Sequence, residues 1–257
     1  MRAEDGGRHE NSPIGEGVNL VGVVGSVDRL AGAEKAYWNI SAGLRDSLGF
    51  GLVQVSQLQP SEPLAEDREL HILRPDGRRG FLGLRQIFVL RKIILEVERP
   101  AILLPFQLNT NILSVIANAT LPRRLRLPVV ANDRANIRTM TTPNMDRGLG
   151  WALRVLMVRL MAGWCYRRAR VIVCNSQANA EQVRAFVGSP HPPVVAIPNP
   201  VSADELQARF PLRDRSGLSD PAAPVIAGHG RLFYGKGWEV LIRVLGRVHE
   251  KFPGTRL

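Results

Sequence analysis

The chain has 257 residues, 45% of them hydrophobic and 22% charged, and a formal net charge of +11 at pH 7. That length fits one large or two smaller domains with a sizeable core, and the balance excludes a disordered or collagen-like chain. The two cysteines, Cys165 and Cys174, exclude a disulfide framework and a C-x-x-C metal site; buried free thiols in a reducing, cytoplasmic setting are expected.

The polar, glycine-rich start, residues 1–17, lacks the apolar run of a signal peptide and reads as a disordered leader. "VNLVGVVGSV" (18–27) is a short β-branched run ending at glycine, a buried strand. "AGAEKAYWNISAGLRDSLG" follows as a helix, with Tyr37, Ile40 and Leu44 at helical spacing and Gly49 as its stop. "FGLVQVSQL" is a second strand, and residues 60–80, mixing proline, glycine and charge, read as loop. "LGLRQIFVLRKIILEVERP" is a helix closed before Pro100, "AILLPF" a strand, "TNILSVIANATL" a helix and "LPVVAND" a strand. A loop is expected over 138–147, then a helix over 149–168, strand "RVIVCNS", helix "QANAEQVRAFVG" and strand "PVVAIPN". The alternation implies a mainly parallel sheet covered on both faces, and such sheets bind ligands at the carboxyl ends of their strands. Residues 18–200 therefore form one domain. Residues 201–224, rich in proline and charge, read as a linker, and 225–257 begin a second βα series.

That second series carries the chemistry. In "VIAGHGRLFYGKGWEVLI" (225–242) a strand runs into a glycine-rich turn and a helix starting near Trp238. Gly230, Gly235 and Gly237 permit tight backbone close to a ligand. Lys236 stands at a helix N-terminus, where unpaired N–H groups and the helix dipole favour an anion, and Arg231 offers a fork to the same phosphate. Val240, Leu241, Val244, Leu245 and Val248 are expected to line the apolar face of the helix. "GRLFYGKG" also matches G-x-x-x-x-G-K, but glycine replaces the hydroxyl residue that ligates Mg²⁺ in a P-loop. That leaves a nucleotide-binding protein of another class as an alternative.

The G-R-L, three residues, K-G pattern at this junction resembles the donor-binding turn of glycosyltransferase family 4. Other landmarks follow in order. "AGAEKAYWNISAGL" resembles the family's first turn and helix through Gly32 and Glu34, with Ala31 in place of a glycine. "VIVCNSQANAEQVRAF" resembles a strand–serine–helix segment through Ser176, and "VVAIPNPV" the interdomain stretch through Asn199, though Pro200 and Ser202 depart from it. "LPVVANDRANIR" resembles a segment bearing an acidic–arginine pair in polysaccharide and lipid-linked-oligosaccharide members, here Asp133 and Arg134.

The resemblance implies an α/β, GT-B-type fold: a Rossmann-like acceptor domain and a second Rossmann-like domain truncated after its first strand–helix unit. It implies a retaining, hexosyl-type transfer from a nucleotide-sugar to a hydroxyl of a glycan or lipid-linked acceptor. Arg231 and Lys236 would hold the diphosphate, and no cofactor or metal is implied. The catalytic residue remains unassigned, because the family's paired glutamates, E-x₇-E, would fall past Leu257. This form is therefore expected to be inactive, and a non-catalytic binding module is the competing reading. Where many members place a histidine after a middle strand, the chain reads "LLPFQLNTNILS". Gln107, Asn109 and Asn111 are the acceptor-side candidates there, against plain solvation. His229, where the family has an aliphatic residue, is either pocket-facing or packed.

The charge excess is almost all arginine, since lysine occurs only at Lys35, Lys92, Lys236 and Lys251. It is spread along the chain without an aromatic-plus-basic motif, so a nucleic-acid partner is not expected. Between Trp151 and Arg170 lie five arginines and no acidic residue, with Trp151, Trp164 and Tyr166 nearby. Two readings stand for this helix. It docks peripherally on the anionic cytoplasmic face of a membrane, or it packs on its own sheet with the arginines in water. The arginines interrupt the apolar run, so no membrane span is expected.

Overall fold

A computed structural model describes residues 14–27, 32–60, 70–74, 83–134, 137–141, 148–201, 207–208, 224–228, 230, 232 and 237–256. The chain divides into two compact units, Met1–Pro200 and Val201–Leu257.

In the first unit, strands and helices alternate. They are β1 (Asn19–Val24), α1 (Gly32–Leu48), β2 (Gly51–Leu58), β3 (Leu70–Arg74), α2 (Leu84–Glu96), β4 (Ala101–Pro105) and α3 (Leu108–Ala119). Then follow β5 (Val130–Asp133), α4 (Ile137–Thr141), α5 (Leu149–Tyr166), β6 (Val171–Cys174), α6 (Gln177–Val187) and β7 (Val194–Ala196). Two elements depart from the sequence reading. β3 lies inside residues 60–80, where five residues without turn chemistry, "LHILR", pair parallel with β2. The short helix α4 begins at Ile137 and runs into the expected 138–147 loop, held by Thr141 Oγ1 donating to Ile137 O (2.7 Å).

All strand pairs are parallel, in the orders β3-β2-β1-β4 and β5-β6-β7. Parallel bridges Leu103–Val129 and Phe106–Asn132 join β4 to β5, which makes one sheet of order 3-2-1-4-5-6-7. The direction of winding reverses between β1 and β4. In an open α/β sheet that reversal leaves a crevice outside the carboxyl ends of the two strands.

Side-chain alternation sorts the core onto two faces. Val21, Val23, Val55 and Leu103 pack with α2, α3, α5 and α6 through Leu90, Ile94, Ile112, Ala162 and Val183. Leu20, Val24, Leu104 and Phe106 pack with α1 through Tyr37 and Trp38. The Tyr37 ring stands edge-on to Phe106, with centroids 5.1 Å apart, and fills the space over Gly22, where a Cβ would come within 2.6 Å of it. A buried aromatic side chain contributes about 1.5–3 kcal/mol, so this residue anchors α1 and fixes where its first turn sits. The leader is described only from Ile14, where residues 14–17 form a turn and Gly15 N–H donates to Leu48 O (2.7 Å).

The second unit contains the helix α7 (Trp238–Lys251) and the parallel bridge Val225–Arg256. Ile226 N–H donates to Arg256 O (2.9 Å), so the expected strand at 225 is a single-bridge pairing with the chain end. None of the residues of α7 is fully buried. Its inner side is Trp238, Leu241, Leu245 and Val248, whereas Val240 and Val244, expected on the apolar face, are exposed. The period-3.6 count includes them, but the covered arc is narrower than the apolar one.

Candidate active site

Three element ends line the crevice between β1 and β4. β1 ends at Val24 and leads through Gly25 and Ser26 to Val27, whose carbonyl accepts from Trp38 Nε1 (2.7 Å). α1 opens at Gly32, where a Cβ would meet nothing within 4 Å, and presents Glu34 in its first turn. β4 leads through Phe106 to Gln107, the cap position of α3.

Gln107 has φ 81° and ψ 156°. Only glycine occupies that region comfortably, and another residue there costs on the order of 1–3 kcal/mol. Its surroundings impose the conformation. Gln107 N–H donates to Asn132 O (3.1 Å), and its carbonyl accepts from Asn111 N–H (2.9 Å) and Thr110 Oγ1 (3.0 Å). The result aims the side chain at α1, where Gln107 Nε2 donates to Glu34 Oε1 (2.8 Å). A Cβ at Gly25 would come within 2.8 Å of Gln107 Oε1, so glycine leaves the amide its place. Glu34 Oε2 is buried and has no hydrogen-bond partner among the described residues. A carboxylate oxygen without a donor is costly, and a substrate hydroxyl is the kind of group that would satisfy it.

The β5 end adds a cation. Arg134 Nη2 donates to Asn132 Oδ1 (3.0 Å) and Arg134 Nη1 to Asn199 Oδ1 (2.7 Å), and the guanidinium lies 5.4 Å from the centre of the Phe106 ring. Burial, its largest influence, pushes the Arg134 pKa down from the usual value. The group nonetheless keeps its charge, as arginines in proteins do. Two residues singled out 65 positions apart in the sequence, Arg134 and Asn199, are thus in direct contact.

Asp133 lies deeper. It is buried, and its carboxylate accepts from Tyr166 Oη (2.6 Å) and Asn179 Nδ2 (3.2 Å). Asn111 Nδ2 donates to Tyr166 Oη (3.2 Å) and Asn132 O (3.0 Å). Burial first, then the Asp133 carboxylate, raises the Tyr166 phenol well above its ordinary pKa, so it stays a donor. This network ties β5, α3, α5 and α6 under the crevice floor. Asn111, an acceptor-side candidate, is fully buried in it, while Asn109 is half-buried on the first turn of α3. Ser176 caps α6, accepting from Asn179 N–H (3.2 Å).

Under the membrane reading of α5, Tyr166 is an interfacial aromatic like Trp151 and Trp164. It is instead wholly buried, because its hydroxyl is the donor that a buried carboxylate requires. The Glu34–Gln107 pairing was missed as well. Gln107 is among the acceptor-side candidates of the sequence, but its pairing with Glu34 is not legible there, since a positive φ at a non-glycine residue leaves no trace in sequence.

Of the donor-phosphate candidates, Arg231, Lys236 and Gly235 lie outside the described residues, as does His229. Gly230 (φ 149°) and Gly237 (φ 71°) both have positive φ, and α7 begins directly after Gly237. Among the described residues no group of three histidine, cysteine, aspartate or glutamate side chains could hold a metal ion, and no helix is long and apolar enough to cross a membrane. Cys165 and Cys174 are free and buried, and burial pushes both thiols up to about 12.

A parallel sheet of this order, with polar groups gathered at its switch point, defines a Rossmann-like ligand-binding domain. Residues 30–205 match the model described as Glycosyltransferase Family 4, and the chain belongs to that family. Solved structures share the α/β fold of GT-B glycosyltransferases. Sucrose-phosphate synthase from Thermosynechococcus elongatus superposes with a TM-score of 0.65 at 13% identity, covering 91% of this chain and 60% of that one. Anabaena HepE, in complex with UDP and glucose, gives 0.55 at 15% identity over 91% of this chain and 59% of its own. Phytolacca americana UGT2, complexed with UDP-2-fluoro-glucose and pterostilbene, gives 0.51 at 14% identity over 83% and 61%. The chain thus spans about 60% of the length of these structures. No curated protein matches it.

Proposed function

We propose that this chain supplies the acceptor side of a retaining glycosyltransferase. The enzyme moves a hexosyl group from a nucleotide-sugar to a hydroxyl of a glycan, free or lipid-linked. The observation that carries the reading is the Glu34–Gln107 pair at the switch point, strained on one side and short of a donor on the other, in a family 4 chain. Strain held by surrounding hydrogen bonds is characteristic of sites where geometry serves chemistry.

In the reaction the bond from the anomeric carbon to the diphosphate oxygen breaks. A bond from that carbon to the acceptor oxygen forms on the same face, and the acceptor proton passes to the oxygen of the departing diphosphate. Glu34 Oε2 accepts from a sugar hydroxyl in the crevice, and the Gln107 amide fixes the carboxylate. Arg134 and Asn109 line the acceptor side, and Asp133 acts by position, holding the floor beneath Arg134. Arg231 and Lys236 are assigned the leaving diphosphate on their sequence motif, an electrostatic role that needs no metal or cofactor. A uridine nucleotide is the donor to test first, on the strength of the HepE and UGT2 complexes. Two buried, unpaired thiols favour a reducing, cytoplasmic setting.

The test is transfer kinetics of the enzyme with Glu34→Gln and Glu34→Ala. A hydrogen bond to a charged group contributes about 1.5–3 kcal/mol, so kcat/KM should fall about ten- to 150-fold while the melting temperature holds. Unchanged kcat/KM in both variants would remove Glu34 from the site.

A further inference from the structure

The first turn of α2 lacks the groups that normally complete a helix start. Its cap residue is Gly83, and no side chain caps the turn. A helix leaves its first N–H groups without an intrahelical acceptor, and its dipole favours an anion beside them. Here the turn holds no acidic residue and instead carries Arg85, which is exposed. From Gly83 to Leu95 the chain has no aspartate or glutamate. A cation at the positive end of a helix is unfavourable unless an anion joins it.

Two buried amides stand on the same edge of the sheet. Gln86 is 2% exposed, and its Oε1 accepts from Gly83 N–H (3.0 Å), which holds the amide against the cap. Its Nε2 is buried and has no hydrogen-bond partner among the described residues. Gln57 is 8% exposed, and its Nε2 is likewise buried without a partner there. Gln57 is the last residue but one of β2 and alternates with Val53 and Val55, so it lies on the face that α2 and α3 cover. α2 opens at the carboxyl edge because the chain beyond its far end returns to the amino edge, where Asn19 Nδ2 donates to Glu98 O (3.1 Å). The carboxyl edge is where open α/β sheets bind ligands.

This corner adjoins the crevice. Leu58 N–H donates to Gly25 O (3.2 Å), which continues the β1–β2 ladder and sets Gln57 beside Gly25, one strand spacing of about 5 Å away. Gly25 is the residue that faces the Gln107 amide. Along the edge the order is therefore the Glu34–Gln107 pair, Gly25, Gln57 and the first turn of α2. The two ends differ in polarity. Glu34 Oε2 is an acceptor, whereas the α2 corner offers donors: two amide NH₂ groups and the helix N–H groups. Buried donors without acceptors are costly, and several donors converging beside a cation suit a charged oxygen group.

We infer that Gln57, Gln86 and the first turn of α2 form an oxyanion subsite on the flank of the crevice. The acceptor carries a carboxylate or phosphate that this subsite holds while an acceptor hydroxyl lies at Glu34. The role in the acceptor rests on the crevice being the acceptor site, whereas anion binding itself is read without a sugar donor.

The experiment is an NMR titration of the ¹⁵N-labelled 257-residue chain with inorganic phosphate, with glucuronate and with glucose. The anions should shift the side-chain NH₂ resonances of Gln57 and Gln86 saturably, together with the backbone amides of Leu84 and Arg85, and glucose should leave them in place. The tighter anion tells phosphate from carboxylate. Gln86→Glu keeps the oxygen that accepts from Gly83 and adds negative charge where the dipole favours it, so its melting temperature should hold or rise. It also replaces the donor by a like charge, so anion affinity should fall at least about tenfold. Gln57→Leu, which fills similar space without a donor, should weaken binding in the same sense. In the enzyme, Gln86→Glu should lower the ratio of kcat/KM for an acceptor bearing that anion to kcat/KM for a neutral one by at least about tenfold. No saturable shift with either anion, or a Gln86→Glu chain that binds as tightly as the parent, would overturn the subsite. An unchanged ratio would overturn its role in the acceptor. Saturable anion binding with no transfer to any acceptor would sustain the subsite and overturn the reading of the crevice.

Discussion

Replacing Gln107 separates strain from function, because glycine and alanine both remove its side chain but differ in the backbone they prefer. At φ 81° and ψ 156° an alanine inherits the strain and a glycine does not. Relief amounts to about 1–3 kcal/mol. Against it stands the greater freedom glycine gives the unfolded chain, about 0.4–1 kcal/mol. Both variants lose the bond to Glu34, so that term cancels between them. Gln107→Gly should therefore be more stable than Gln107→Ala by about 1 kcal/mol, the reverse of the usual order inside folded structure. For a chain of this size that is about 2–4 °C in melting temperature. Urea denaturation of both variants, with equal m-values, measures the difference directly. Both should lose transfer to a similar degree, since neither orients Glu34. If the alanine variant equals or exceeds the glycine variant in stability, Gln107 is not strained, and the account of a backbone held for its side chain fails.

Gly25→Ala should leave stability within about 1 kcal/mol, because Gly25 needs no left-handed backbone, but should displace the Gln107 amide and lower transfer as far as the Glu34 variants do. Normal transfer would show the amide has room. Tyr166→Phe should destabilise the fold by about 1–3 kcal/mol, because it takes a donor from the buried Asp133 carboxylate. A calorimetric scan at neutral pH reads this, and a loss within error would refute the network. Both thiols titrate higher in the folded chain, about 12, than the ordinary 9.0. Their contribution is complete below pH 9 and is lost as pH climbs toward 12. Alkylation at pH 8 should therefore wait for unfolding, and fast labelling of native protein would contradict that burial.

The sheet was legible because each strand is a short β-branched run and each helix a 3.6-residue repeat, signals local enough to read one at a time. β3 escaped because "LHILR" is too short to outweigh the proline, glycine and charge around it. Arg134 and Asn199 were each visible through motifs, but their contact depends on β5 and β7 both neighbouring β6, which no local pattern states. Gln107 and Glu34 needed still more: the winding reversal between β1 and β4, and a backbone conformation its residue type does not favour. In α5 the arginines are exposed, as the packed reading expects, but leucine and methionine share the exposed surface, which the arginine spacing alone does not show.

The central claim is transfer, and the most direct measurement is the mass of what the enzyme makes. Incubated with a panel of nucleotide-sugars, uridine nucleotides first, and a mixture of glycan and lipid-linked acceptors, the enzyme to which this chain supplies the acceptor side should add one glycosyl unit to an acceptor and release the nucleotide diphosphate, whereas the 257-residue chain alone should add none. The new linkage should keep the donor's anomeric configuration by NMR, and Glu34→Gln should suppress the product. Release of nucleotide without a glycosylated acceptor, an inverted linkage, or full product from the Glu34→Gln enzyme would contradict the account.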